Sequence, residues 1–144
     1  TLAEYALLTA QRRHEPVSLA FVDLDRFKHI NDTWGHEEGD RALIAIADLM
    51  KAAFRESDIL ARQGGDEFII LFANTSRHDA ATAMETLSHN VARFNQQAAN
   101  PWQLAFSWGC VEYDPASHPS LNALVATADR LMYQAKQKQG RERR

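Results

Sequence analysis

From Val17 to Val22 the chain reads Val-Ser-Leu-Ala-Phe-Val, a nearly unbroken apolar run of strand length that ends on the acidic Asp23. Such a run predicts a buried central strand. The acid at its end is costly there unless it is paired, hydrogen-bonded or bound to a cation. The residues around the run favour a mixed layout. Residues 2–14 have helical spacing and stop before Pro16. Asp25 can cap a short helix through Phe27 and Ile30, Gly35 lies in a loop, and apolar residues recur at helical spacing from about Glu37 to Phe54. Ile59–Arg62 and Phe68–Phe72 read as strands, and the paired glycines Gly64 and Gly65 between them signal a hairpin. A tight turn there would ask for the positive φ that glycine accepts cheaply. Ser76 can cap a long helix through Phe94, a strand is expected from about Leu104 to Val111 after Pro101, and Leu121–Ala135 returns to helical spacing. Strands and helices mixed irregularly, with at least one hairpin, predict an α+β fold.

At 144 residues the chain suits one domain able to bury a core unaided, and its 45% hydrophobic and 24% charged residues are ordinary for a globular protein. A formal charge of −3 leaves no broad basic surface, so nucleic acid is not an expected partner. Basic residues do gather at the end, in Lys136, Lys138, Arg141, Arg143 and Arg144, either as a solvated helix terminus or as a phosphate contact. Cys110 is the only cysteine, which precludes an internal disulfide and fits a reducing cytosol. No apolar run is long enough to span a bilayer. The chain opens inside an amphipathic pattern (Leu2, Tyr5, Leu8) with no start signal before it, so it reads as part of a longer protein with sensory or membrane-bound neighbours.

Asp23, Asp66 and Glu67 belong together. If the glycine hairpin lies beside the first strand, three carboxylates converge at one end of the sheet, and without a cation at least one pKa must rise. Magnesium resolves such a cluster, since it takes one or two carboxylates, waters and phosphate oxygens. Glycines at the tip would let the backbone approach a bulky ligand. Acidic hairpin tips are also common in their own right, and Asp23 could simply cap the next helix.

Arg62-Gln63-Gly64-Gly65-Asp66-Glu67-Phe68 resembles the signature hairpin of the GGDEF diguanylate cyclases. Upstream, Asp23-Leu24-Asp25-Arg26-Phe27-Lys28, Ile30-Asn31-Asp32, Gly35-His36 and Gly39-Asp40 resemble the family's nucleotide-binding segment. Downstream, Ser107-Trp108-Gly109, Ala128-Asp129, Met132-Tyr133 and Ala135-Lys136 resemble later landmarks. The resemblance implies a palm-like nucleotide cyclase fold, with a mainly antiparallel central sheet flanked by helices. It also implies an enzyme that condenses two GTP into cyclic dimeric GMP and two pyrophosphates. Two magnesium ions per site, with manganese as a substitute, would be held by Asp23, Asp66, Glu67 and the Leu24 carbonyl. Asp23, Asp66 and Glu67 are thus the implied catalytic residues, Glu67 as metal ligand or as base toward the 3′-hydroxyl.

For the substrate, the resemblance assigns phosphate contacts to Phe27, Lys28 and Lys136, and guanine reading to Asn31 and Asp40. Carboxylate and amide can pair with guanine edges that adenine lacks. Gly64, Gly65, His36 and Arg141 complete the implied substrate site. Arg55-Glu56-Ser57-Asp58, with five residues between Asp58 and Gly64, resembles the family's RxxD site, where product binds and inhibits. Read alone, that pair is an exposed helix-end ion pair. Lys28, Lys136 and His36 alone would be solvated, Asn31 a turn residue and Asp40 a first-turn acid. Trp34, Trp102 and Trp108 read as core or rim packing.

Three departures from the family pattern stand out. An Asp-x-Leu-Thr-Gly-Leu-x-Asn-Arg-like segment is missing before the first long helix. A final edge strand is missing after residue 144. Four residues, one more than usual, separate Lys136 from Arg141. Residues 1–144 therefore read as one catalytic domain trimmed at both ends. One site holds one GTP while the product joins two, so a twofold homodimer is expected, supported by an upstream sensory or dimerisation domain. The competing readings are an inactive receptor that binds cyclic dimeric GMP through Arg55 and Asp58, and a structural dimerisation module.

Overall fold

The computed structural model describes residues 1–142, with side chains through Gly140. Helix α1 (Leu2–Arg13) leads into β1 (Ser18–Leu24), α2 (Phe27–Trp34), α3 (His36–Ala53), β2 (Ile59–Arg62), β3 (Glu67–Phe72), α4 (Arg77–Gln97), β4 (Phe106–Glu112) and α5 (Leu121–Glu142). The strands form one sheet in the order β2-β3-β1-β4, and every pairing is antiparallel. The apolar run beginning at Val17 is the central strand expected from sequence, since β1 has partners on both sides.

Period-two alternation sends β1 into two cores. Ala20, Val22 and Leu24 join Phe68, Ile70 and Phe72 of β3 beneath α2, α3 and α4, where Ile30, Ile46, Met50, Met84 and Leu87 are buried. Leu19 and Phe21 join Ile69 and Leu71 on the opposite face, under Leu7 of α1 and Leu124, Ala128 and Met132 of α5. Helices on both faces account for an apolar run with no polar side.

The depth of α5 is set by Gly109 of β4. A Cβ added there would lie 2.3 Å from the Met132 backbone nitrogen and 2.5 Å from the Ala128 carbonyl, so the helix backbone rests directly on the strand. Helix ends follow local chemistry. Thr1 and Ser76 accept from Glu4 N–H and Asp79 N–H as N-caps. Two expectations fail. Strand β4 starts at Phe106 because the Leu104 backbone N–H and C=O are both taken by the Asn95 side chain, at 2.8 Å each. Asp25 does not cap α2. The cap position belongs to Arg26, in a left-handed conformation (φ 60°) with no side-chain bond.

Candidate active site

The hairpin does lie beside the first strand. In the β1–β3 register Asp23 stands opposite Glu67, and Leu24 N–H donates to the Asp66 carbonyl at 3.1 Å. Residues 19, 21 and 23 of β1 and 67, 69 and 71 of β3 share the face that α5 covers, so Asp23 and Glu67 are same-face cross-strand neighbours. The turn itself is built differently from expectation. Neither Gly64 nor Gly65 takes positive φ; among described glycines only Gly35 does, at 94°. Arg62 holds the loop instead, donating from Nε to the Gly64 carbonyl at 3.0 Å and from a terminal nitrogen to that of Gly65 at 2.6 Å. A Cβ on Gly65 would meet nothing within 4 Å. Gly65 thus leaves open space over the tip, whereas a Cβ on Gly64 would lie 3.4 Å from the Glu67 carboxylate.

Two of the three acids, Asp66 and Glu67, carry raised pKa values. Burial, then the charge and close approach of the Asp23 carboxylate, raise the Asp66 pKa above the ordinary aspartate value. Burial, then the charges of Asp23, Asp66 and Asp129, raise that of Glu67. Lys136 from α5 supplies partial relief, with its ammonium 2.9 Å from Asp23 Oδ2 and 3.7 Å from Asp25 Oδ1. Burial works to lower the Lys136 pKa, but the bond and charge of Asp23, with Asp25 and Asp66, outweigh it and raise the value. Asp23 Oδ1 remains buried with no hydrogen-bond partner.

An orphaned carboxylate oxygen facing two other acids fits a hard divalent cation. Among the described residues no three acidic, imidazole or thiolate groups are drawn together tightly enough to enclose a metal by themselves. Magnesium does not require that, since waters and substrate phosphate complete its shell. The residues present fit the ion.

Asp25 and Ser107 were not anticipated at this site. Asp25 is 7% exposed, and its Oδ1 accepts from the Ser107 hydroxyl at 2.8 Å. The signal available was the nearness of Asp25, in the turn just past β1, to Asp23 at the strand end.

The nucleotide-side residues flank the α2–α3 junction. Phe27 opens α2 and packs half-buried against the core, while Lys28 beside it is exposed. No side chain caps α2, so its first N–H groups are open to an anion. Asn31 is half-buried on α2, and Asp40 and His36 are exposed on α3. Gly39 accounts for the position of Asn31. A Cβ there would fall 1.8 Å from Asn31 Oδ1, so the carboxamide fills the space that glycine leaves. Arg141 lies in the last turn of α5 with its side chain outside the described ones, and Arg143 and Arg144 lie outside the described residues.

Arg55 and Asp58 meet at the other end of the β2–β3 pair. Asp58 accepts from Arg55 backbone N–H at 2.9 Å and from Ala73 N–H at 3.3 Å, and its carboxylate is 3.3 Å from the Arg55 guanidinium. The guanidinium also donates to the Ala73 carbonyl and to Thr75 Oγ1, both at 2.6 Å. The pair is therefore more than an exposed helix-end contact, because it ties the entry of β2 to the exit of β3. Of the three tryptophans, Trp102 is buried, Trp108 half-buried and Trp34 exposed, in keeping with core and rim roles.

Residues 2–143 match the family described as diguanylate cyclase, GGDEF domain. Diguanylate cyclase DosC of Escherichia coli (strain K12) is 34% identical over 143 residues, which is 99% of this chain and 31% of that protein. Of solved structures, the active GGEEF domain of a diguanylate cyclase from Vibrio cholerae superposes with a TM-score of 0.84 at 28% identity, over 94% of this chain and 86% of that one. The GGDEF domain of DgcB from Caulobacter crescentus, in complex with c-di-GMP, gives 0.85 at 27% identity, over 95% and 81%. An antiparallel sheet between two helical layers is thus the fold of the GGDEF structures. The chain belongs to the GGDEF diguanylate cyclase domain family. It spans 31% of the length of the first curated relatives it matches.

Proposed function

We propose that this chain catalyses the condensation of two GTP into cyclic dimeric GMP, as the catalytic domain of a longer diguanylate cyclase. The observation that carries the reading is the incomplete acidic cluster: Asp23 Oδ1 is buried without a partner while burial and neighbouring acids raise the pKa values of Asp66 and Glu67. Asp23, Asp66 and Glu67, with the Leu24 carbonyl, would hold two magnesium ions. When bound, magnesium, or manganese in its place, would supply charge neutralisation to the phosphates and to the attacking and leaving oxygens. The open N–H groups of α2 near Phe27 and Lys28 receive phosphate oxygens, and Lys136 approaches them from α5. Asn31 and Asp40 read the guanine edge, His36 lies beside the nucleotide, and the bare backbone at Gly64 and Gly65 admits it.

In each half-reaction the 3′-oxygen of one GTP bonds to the α-phosphorus of the other, and the bond to the bridging oxygen breaks to release pyrophosphate. Glu67 takes the 3′-hydroxyl proton or would hold metal. Because each site carries one GTP, two copies face one another across a twofold axis. Upstream domains would bring them together in the cytosol, where GTP is available. No described helix is long and apolar enough to cross a membrane.

Product inhibition is proposed at Arg55 and Asp58. The Arg55 side chain is 58% exposed beside a cavity of about 220 Å³ that Lys51 and Glu56 also line. Arg55→Ala should raise the product concentration needed for half inhibition, and an unaltered inhibition curve would reject the site.

Incubation of a dimerised chain with GTP and magnesium, followed by chromatography, tests the main reading. Cyclic dimeric GMP and pyrophosphate are expected from GTP and no dinucleotide from ATP. Binding of cyclic dimeric GMP without turnover would replace the enzyme by the receptor reading.

A further inference from the structure

If Asp23 gives its charge to a metal ion, the 2.9 Å pair that holds Lys136 in place weakens. Lysine has a flexible four-carbon stem, and fixing it costs rotamer entropy. The Lys136 side chain is 39% exposed, so solvent is open to it once Asp23 no longer competes. One anion outside the proposed metal set still faces its ammonium, the carboxylate of Asp25 at 3.7 Å.

Asp25 does not cap α2, yet it is placed with care. It is 7% exposed, its backbone N–H donates to the Ala105 carbonyl at 2.8 Å, and the Ser107 hydroxyl from the neighbouring strand donates to its Oδ1 at 2.8 Å. Gln139 Oε1, one turn beyond Lys136 on α5, lies 3.3 Å from the same hydroxyl. Contact at Gly109 fixes the height of α5 over this point. A buried carboxylate is expensive to keep. If its purpose were only to bond Ser107, an amide would do as well.

We propose that Asp25 is a positioning residue for Lys136, a fixed anion backed by Ser107 that keeps the lysine ammonium beside the acidic cluster when Asp23 is engaged elsewhere. This rests on the reading of the cluster as a metal–nucleotide site. Lys136 occupies a cation's place in the free chain and is already within reach of the phosphates when they arrive, which lowers the ordering cost of binding. Asp25 touches neither metal nor substrate in this scheme.

The test compares the native chain with Asp25→Asn, Lys136→Met and the double variant, all first shown by thermal melting to be folded. Amine-reactive ester labelling in an Asp23→Asn background, read residue by residue by mass spectrometry, reports the lysine freed of its Asp23 pair and without any nucleotide. Asp25→Asn should raise labelling of Lys136 severalfold relative to Lys51. Ser107→Ala should do so more weakly, and it serves if Asp25→Asn does not fold. Calorimetry with a non-hydrolysable GTP analogue and magnesium then closes the cycle. Asp25→Asn should weaken binding on the order of tenfold in the native background, typical of coupled neighbours, and have no further effect beside Lys136→Met. Unchanged labelling, or a loss that adds in full to that of Lys136→Met, overturns the proposal. Raised labelling in a chain whose native form binds no analogue would support the anchor and remove the nucleotide reading.

Discussion

The two ends of the β1–β3–β2 ribbon each carry a carboxylate paired with a basic side chain, and they differ in completeness. At the far end Asp58 accepts from two backbone N–H groups and faces the Arg55 guanidinium, which itself reaches a carbonyl and a hydroxyl. At the hairpin end Asp23 has one ammonium on one oxygen, and its other oxygen is buried and empty-handed. The first network is closed by the chain itself and holds strands together. The second is left open and destabilised by its own acids, as expected where a ligand supplies the missing charge. Residue types are similar at the two ends; satisfaction separates a network complete in itself, on whose exposed Arg55 face product inhibition is proposed, from one that needs a ligand to complete it.

Substitutions should separate the two ends in the same way. The largest effect expected is at the open end, where Asp66→Ala or Asp23→Asn should lower turnover by at least ~10²–10³-fold, the usual size for a lost electrostatic stabiliser. The same variants should leave the melting temperature equal or raised, because removing one acid relieves its neighbours. Turnover close to native would break the contrast. Asp58→Ala should do the reverse, costing about 1–3 kcal/mol of stability through the backbone N–H groups it orphans, measured by denaturant unfolding. Gly39→Ala should displace the Asn31 carboxamide and weaken GTP analogue binding on the order of tenfold while the fold survives. Equal binding would remove Asn31 from guanine reading.

The smallest expected effect belongs to Cys110, whose thiol burial pushes up to about 11. A raised folded-state pKa adds stability fully present below the unfolded thiol value of 9.0 and lost as pH rises through about 11. Native Cys110 should therefore resist alkylation near neutral pH and react on unfolding. Rapid native labelling would contradict its burial.

The central strand, its hairpin neighbour and the helices around them were legible because each rests on a local pattern: the apolar run from Val17, the capping Ser76, the helical spacing of α3. The convergence of Asp23, Asp66 and Glu67 followed once the two strands were set side by side. What escaped was contact between distant segments. The role of Asn95 in delaying β4, the grip of Arg62 on the glycine loop, and the meeting of Asp25, Ser107 and Lys136 all depend on how elements stack. The glycines misled for a related reason. A hairpin argues for positive φ, yet neither Gly64 nor Gly65 adopts it, and the turn is held by Arg62 instead.

The account turns on whether the open acidic end takes a metal–triphosphate. A crystal structure with a GTP analogue and manganese, the metal located by its anomalous scattering, tests this most directly. The account predicts metal bonded to the Asp23 and Asp66 carboxylates, with Lys136 turned from Asp23 toward phosphate and Asp25 still beside it. Nucleotide bound elsewhere, with Lys136 still on Asp23 and no metal between the acids, would contradict it.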